Sequence, residues 1–248
     1  MSAAHLPRHE DSTYKTRLQP KQNITNVKYS DPLSFDVEMI AESMLSGTQI
    51  QNLARSLFNQ TTYKSLTVNN SDYAGLHFNC YFTNVEKIER FGKNGFGVYG
   101  FKSTMVCDSQ FMWTSEIIST FSNTELTNNI TVVNDSAVAG YTYPSLILKT
   151  GTSGGNVTIQ CITDTETVIN SSENLVEQSK IITINNTLAN DTISILTNPY
   201  RIKSLLGENY INDFNIKFPR LLYGNNVFNV SGDVTEVSFK FEKARVMF

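Results

Sequence analysis

The stretch Leu33-Ser34-Phe35-Asp36-Val37-Glu38-Met39 decides the fold class of this chain. Its apolar side chains alternate with polar ones, which is the period of a β-strand with one buried face. The same alternation returns at Leu76–Phe82 and at Val234–Phe241. Thr, Asn and Ser dominate the polar residues, and this bias favours strands and turns over helices. The sequence therefore predicts a mainly β protein.

One segment follows a helical period instead. Its apolar residues recur at helical spacing and form a single stripe, Ile50, Leu53, Ala54, Leu57 and Phe58. Thr48 stands before the stripe and is predicted to be the N-cap of the helix. We expect this helix to pack on the neighbouring sheet.

The 248 residues suit two modest domains. Glycines punctuate a hairpin whose turn is Gly92–Gly95 and whose second strand is Val98–Val106. Small and polar residues concentrate near Asn134–Gly140, so we place a boundary there, with domains at residues 1–135 and 136–248. Residues 1–22 are polar and are interpreted as an arm.

The second half reads as a series of short strands with turn signals between them, which is typical of a β-sandwich. The candidate strands are Ser145–Lys149, Asn156–Ile162, Thr167–Asn170, Ile181–Asn185, Thr192–Leu196, Val227–Val230 and Val234–Phe241.

The charge balance argues against a nucleic-acid-binding protein. The chain has 20 basic and 23 acidic residues, hence a net charge of −3. The two halves carry 11 − 13 = −2 and 9 − 10 = −1, so neither can neutralise many phosphates. No stretch reaches the length of an apolar membrane span, and no secretion signal is visible at the N-terminus. The odd, widely spaced Cys80, Cys107 and Cys161 are interpreted as small buried hydrophobes made in a reducing compartment.

Candidate catalytic groups are sparse. Two of the three histidines, His5 and His9, lie in the arm on either side of Pro7, and His77 occupies a polar position of an alternating strand. Gly92–Gly97 is rich in glycine but lies in a hairpin, not in a phosphate-binding turn before a helix. The pairs Asp164/Glu166 and Glu86/Glu89 could act as paired carboxylates of a glycosidase, although charged loop residues are the commoner explanation. We therefore predict no enzyme, with no catalytic, metal-binding or cofactor-binding residue.

The order of elements resembles a known family. A strand, an amphipathic helix, the segment Val85–Gly92 and a glycine-rich return are similar to the N-terminal domain of phage distal tail proteins. The C-terminal half resembles the same family in an ordered series of segments, which are Tyr143–Leu148, Tyr210–Asn212, Phe218–Asn226, Val230–Gly232 and Phe239–Arg245.

That resemblance implies an N-terminal split β-barrel with one α-helix and a C-terminal galectin-like β-sandwich. It implies a structural virion protein of the tail tip or baseplate, made in the bacterial host cytoplasm. Its copies would form a hexameric ring that joins the tail tube protein to the tail-associated lysin, tail fibre or receptor-binding protein. The alternative is a carbohydrate-binding, galectin-like host-adhesion module. Against this alternative, the C-terminal half has no His and no Trp, since the only tryptophan is Trp113.

Overall fold

The computed structural model describes residues 32–68, 71–138, 140–169 and 174–246. The predicted arm, with His5 and His9, lies outside the described residues. Within them the chain divides into two compact units between Trp113 and Thr114. Each unit is built mainly from β-strands, which confirms the predicted fold class.

The N-terminal unit contains one antiparallel sheet. Its strands are β1 (Ser34–Ile40), β2 (Lys64–Thr67), β3 (Leu76–Gly92), β4 (Gly95–Cys107) and β5 (Phe111–Thr114). They lie in the order β1-β4-β3-β5, and β2 pairs with β3. The predicted alternating segment at residues 33–39 forms β1. The predicted turn between β3 and β4 is confirmed, because Gly92 and Gly95 are cross-strand partners.

The only α-helix among the described residues is α1 (Gly47–Leu53), which continues as a π-helix over Ala54–Phe58. Its N-cap is Ser46 and not the predicted Thr48, because Ser46 and Gln49 form a capping box. The Gln49 N–H donates to Ser46 Oγ (3.3 Å), and the Ser46 N–H donates to Gln49 Oε1 (2.8 Å).

The end of the helix covers one face of the sheet, as its apolar stripe predicts. The ring of Phe58 lies 5.2 Å from the ring of Phe101 and 6.2 Å from that of Phe82. The buried core on this face comprises Phe78, Cys80, Met105, Cys107 and Met112. Alternate residues of β1 and β4 point the other way, toward the exposed face.

The C-terminal unit contains two antiparallel sheets. Its strands are β6 (Ile117–Ser122), β7 (Ile130–Asn134), β8 (Ser145–Thr150), β9 (Gly155–Ile169), β10 (Leu175–Thr187), β11 (Thr192–Thr197), β12 (Tyr200–Ser204), β13 (Gly224–Ser231) and β14 (Val234–Phe241). One sheet has the order β10-β9-β13-β7, and the other has the order β12-β11-β8-β14-β6. Strand β15 (Ala244–Val246) ends the described chain, and the division between units falls within it.

Both sheets of this unit contribute to a single core, so they form a β-sandwich. Ile159 and Phe228 enter from one sheet, and Leu148, Ile195 and Phe239 enter from the other. As the alternation in the last long strand predicts, Val237, Phe239 and Phe241 share the buried face of β14.

The boundary differs from the one drawn from the sequence. The boundary drawn from the sequence follows the small and polar residues near Asn134–Gly140, and it places residues 114–135 in the first domain. In the structure they form β6, which pairs with β14, and β7, which pairs with β13. Those partners lie about a hundred residues later in the chain, so local sequence gave no sign of them.

No helix in the described part of the chain is both long and apolar enough to cross a membrane.

Candidate assembly surfaces and charged clusters

The exposed side of the N-terminal sheet carries two rows of polar side chains, which we call the polar face. The antiparallel register aligns Asp36, Thr104 and Thr83 in one row and Glu38, Lys102 and Glu86 in the next. None of these six side chains is buried.

Neighbouring side chains on the polar face are paired. Lys102 Nζ lies 2.7 Å from Glu38 Oε1, and Thr104 donates a hydrogen bond to Asp36 (3.2 Å). The hydrogen bond and the charge of Glu38 raise the pKa of Lys102 above its ordinary value. With three carboxylates and one ammonium, the polar face is acidic and would repel phosphate groups.

Strand β1 presents an open edge, because it is an end strand of the sheet among the described residues. Its hydrogen bonds show which residues face outward. Leu33 O accepts from Cys107 N–H and Ala41 N–H donates to Tyr99 O, both at 2.8 Å, so the odd-numbered residues bond toward β4. Since backbone groups alternate along a strand, the even-numbered residues, Asp36 among them, point theirs away from β4. Such an edge can accept another strand.

The tip of the β3–β4 hairpin exposes two aromatic rings. Phe91 is 83% exposed and Phe96 is 58% exposed, and their centroids lie 5.1 Å apart. The sequence shows an aromatic residue on each side of the glycine turn, but that pattern did not predict that the two rings would be exposed. Gly92–Gly97 forms this hairpin and does not precede a helix.

The C-terminal unit contains a buried ion pair at a bulge of β9. Ser179 pairs with Thr165 while Lys180 pairs with Cys161, so residues 162–164 have no partner on β10. The bulge turns Asp164 inward, where its side chain is 2% exposed.

Arg220 binds this carboxylate through two hydrogen bonds. Its Nε donates to Oδ2 of Asp164 (2.5 Å) and its Nη2 donates to Oδ1 (2.9 Å). The guanidinium carbon also lies 4.0 Å from the ring centroid of Tyr141, at cation–π distance.

A second pair and a further cation complete this charged cluster. Glu166 forms an ion pair with Lys217. Burial, and then the charge of Arg220, lower the pKa of Lys180 to about 8. Both carboxylates of the candidate pair Asp164/Glu166 are therefore bound by cations, Asp164 by Arg220 and Glu166 by Lys217.

The remaining candidates do not converge. His77 faces Thr67 across β2 and β3, and Glu86 faces Lys102, while Glu89 is exposed. Trp113 is 7% exposed, so it offers no open surface on which a sugar could stack. In the described part of the chain, no three His, Cys, Asp or Glu side chains gather to hold a metal ion.

Asp191 is a buried hydrogen-bond centre of the sandwich that sequence reasoning missed. Its carboxylate accepts from Ser204 Oγ (2.6 Å), from the Tyr210 hydroxyl (2.9 Å) and from two backbone N–H groups. Burial raises the pKa of Asp191, but the hydrogen bonds from Ser204, Tyr210 and the backbone outweigh it and hold this pKa below its ordinary value.

We expect Asp191 to make the sandwich acid-sensitive. A carboxylate with a lowered folded pKa contributes stability that is fully present above its unfolded pKa of about 3.9 and is lost as pH falls through the folded pKa. Urea unfolding of the wild type and of Asp191→Asn, followed from neutral to acid pH, measures this. The variant should be less stable than the wild type at neutral pH and should lose less stability on acidification. If the free energy of unfolding of both proteins falls in parallel as the pH is lowered, Asp191 is not the source of the acid sensitivity.

Comparisons with known proteins agree on one family. A family model described as a phage tail protein N-terminal domain matches residues 7–109, and one described as a phage tail C-terminal domain matches residues 111–241. No curated protein matches the chain.

Among solved structures, the Dit protein of phage SPP1 has a similar fold. That protein is described as a paradigm of the hub adsorption apparatus in phages that infect Gram-positive bacteria. The TM-score is 0.58 at 15% identity, over 84% of this chain and 78% of that one. The phage P2 baseplate in its activated conformation, with Ca or Sr, gives TM-scores of 0.48 and 0.49 at 12% and 13% identity, over 88% of this chain and 81% of each of those chains.

The expected kinship with phage tail proteins is thus confirmed, and the fold is shared with a distal tail protein. Because the two family models together span the chain from residue 7 to residue 241, this protein belongs to that family of phage tail proteins and is a structural component of the virion.

Proposed function

We propose that the protein is a non-enzymatic hub of the tail tip. Its copies close a ring, expected to be hexameric, between the tail tube and the tail-fibre or receptor-binding apparatus. The N-terminal unit forms the ring, and the C-terminal unit, as a galectin-like sandwich, carries contacts to neighbouring tail components. The chain is made in the cytoplasm of the host bacterium before it joins the virion.

The open edge of β1 is the observation that carries the ring proposal. A ring needs a heterologous interface, in which one surface of each copy meets a different surface of the next. Unpaired N–H and C=O groups along an edge strand favour the addition of a strand from another chain. Within the described part of the chain, the even-numbered residues of β1 supply such a row.

The polar face supports the same proposal. A channel that conducts DNA has to avoid retaining phosphates, and a face with an excess of carboxylates meets that requirement. It also disfavours an apolar partner on this side of the sheet, since burying charged side chains against apolar groups would be costly.

Exposed apolar side chains supply contact points in the C-terminal unit. Ile169 and Leu175 are cross-strand partners near the end of the β9–β10 hairpin, and they are 70% and 73% exposed. Exposed apolar residues that cluster are typical of protein contacts. We assign this pair to contacts with other tail proteins.

Asp36→Pro is expected to abolish the ring. Proline removes the outward N–H at this position but no backbone hydrogen bond to β4, and it is tolerated on edge strands whose N–H faces solvent. Mass photometry and light scattering across a concentration series should show a ring for the wild type and a monomer for the variant.

Asp36→Ala is the matched control, since it removes the same carboxylate and keeps the backbone donor. It should still assemble. If both variants assemble like the wild type, the β1 edge is not the contact. If the wild type stays monomeric at every concentration, the ring proposal itself is wrong.

Glycan binding is the second candidate function, favoured by exposed tyrosines of the C-terminal unit. Tyr223 is 70% exposed and Tyr200 is 43% exposed, and aromatic faces are typical sugar contacts. Titration of host wall polysaccharide into the wild type and Tyr223→Ala tests this. Saturable binding to the wild type that Tyr223→Ala weakens would establish glycan binding. If neither protein gives a heat or signal change, glycan binding is excluded for that polymer.

A further inference from the structure

Two cysteines of the N-terminal unit lie directly across from each other. Cys80 on β3 and Cys107 on β4 are cross-strand partners. Both are free and buried, at 2% and 0% exposure.

The hydrogen bonds around them define the type of pair. At the adjacent position, the Asp108 N–H donates to Asn79 O (2.8 Å), so that pair bonds across β3 and β4. The Cys107 N–H points the other way and donates to Leu33 O (2.8 Å). Bonded and non-bonded pairs alternate along an antiparallel ladder, so Cys80 and Cys107 occupy a non-hydrogen-bonded position.

This position brings the two thiols close enough to react. Opposite residues of a non-hydrogen-bonded pair have Cα atoms about 4.5 Å apart. Their side chains also lie closer together than those of a hydrogen-bonded pair. A disulfide requires Cα atoms roughly 4.4–6.8 Å apart. The backbone therefore needs little movement to accept an S–S bond.

We propose that Cys80 and Cys107 form a cross-strand disulfide site, which oxidation by a small-molecule disulfide converts from dithiol to disulfide. One thiolate attacks the reagent and releases one of its halves as a thiol. The second cysteine then attacks the mixed disulfide and releases the other half. Two S–H bonds are lost and one S–S bond forms, and the reagent is reduced to two thiols that take up the two protons.

Burial in the folded sheet protects the two thiols from oxidation. Burial raises the pKa of Cys80 to about 11 and that of Cys107 to about 12. The charge of Asp108 adds to both shifts, and the Cys80 thiol adds to that of Cys107. Only the thiolate reacts, so oxidation requires the hairpin to open or the solution to become alkaline. Once formed, the bond fixes the register of the hairpin whose tip carries Phe91 and Phe96.

The third cysteine serves as an internal control. Cys161 is buried in the C-terminal sandwich, where the Thr163 hydroxyl is its side-chain hydrogen-bond partner (3.7 Å). It faces Lys180 and Phe228 across its two neighbouring strands, so it has no cysteine opposite.

Oxidised glutathione, added to the full-length protein in mildly alkaline, sub-denaturing urea, tests the proposal. After the remaining thiols are alkylated in denaturant, intact mass and non-reducing peptide mapping should show the loss of two hydrogen atoms, one alkylated thiol and a peptide that links Cys80 to Cys107. Cys161→Ser should give the same link with no alkylated thiol. Cys80→Ser and Cys107→Ser should each give no link, with a glutathione adduct on the other cysteine of the pair and an alkylated Cys161.

Three alkylated thiols after this treatment would overturn the proposal. So would stable glutathione adducts on both Cys80 and Cys107 of the wild type, or a link that involves Cys161. Because the readout is a covalent bond within one chain, it is independent of whether the protein forms a ring.

Discussion

Arg220→Met is expected to destabilise the C-terminal sandwich by about 3–5 kcal/mol, the usual cost of removing one partner from a buried ion pair. The substitution keeps an unbranched side chain but removes the guanidinium, and with it both hydrogen bonds to Asp164 and the contact with the Tyr141 ring. Because that carboxylate is 2% exposed, water cannot replace the lost donors. Urea unfolding followed by far-ultraviolet circular dichroism measures the loss.

A double variant shows whether the loss of stability is due to the buried Asp164 carboxylate that is left without its partner. Asp164→Leu combined with Arg220→Met removes both charges, and replacing a buried pair by apolar residues is often neutral or stabilising. The double variant should therefore recover most of the lost stability. If it unfolds as easily as Arg220→Met, the lost packing on Tyr141, and not the carboxylate, is the cause.

Phe239→Ala is expected to cost about 3–5 kcal/mol, as is typical of truncating a phenylalanine in a packed core. Phe239 is fully buried on β14, which lies between β8 and β6. Its ring lies 4.7 Å from that of Phe228 and 6.4 Å from that of Phe121, so alanine leaves a cavity that both sheets line. The same denaturation experiment measures the effect.

Phe91→Ala is the matched control, because it makes the same truncation at a side chain that is 83% exposed. Its effect on unfolding should stay within about 0.5 kcal/mol, as for most surface substitutions. An equal loss at both positions would mean that burial in this structure does not predict the stability contributed by each ring.

Alternation of apolar and polar residues was enough to predict most of the strands. It identified β1, the β3–β4 hairpin and β14, because each has one buried and one exposed face. The predicted strands at 156–162 and 167–170 merge into the single long strand β9, whose bulge interrupts the period between them. β12 was not predicted, because this short strand contains Arg201 and Lys203 and few apolar residues.

Features that depend on contacts distant in sequence could not be predicted. Asp164 and Arg220 are separated by 56 residues, and nothing near either one identifies its partner. The helix start was misplaced by two residues for a different reason. Ser46 and Thr48 are both good N-caps, and the glutamine three residues after Ser46 decides between them.

The position of Trp113 allows the N-terminal unit to be followed on its own by intrinsic fluorescence. It is the only tryptophan of the chain, it lies in the N-terminal unit and it is 7% exposed, with its indole N–H donated to Ser109 Oγ (3.1 Å). Excitation at the red edge of the absorption band selects this indole, and its emission shifts to longer wavelength when water reaches it. Tryptophan emission thus reports on the N-terminal unit of an unlabelled chain, while tyrosine emission reports on both units.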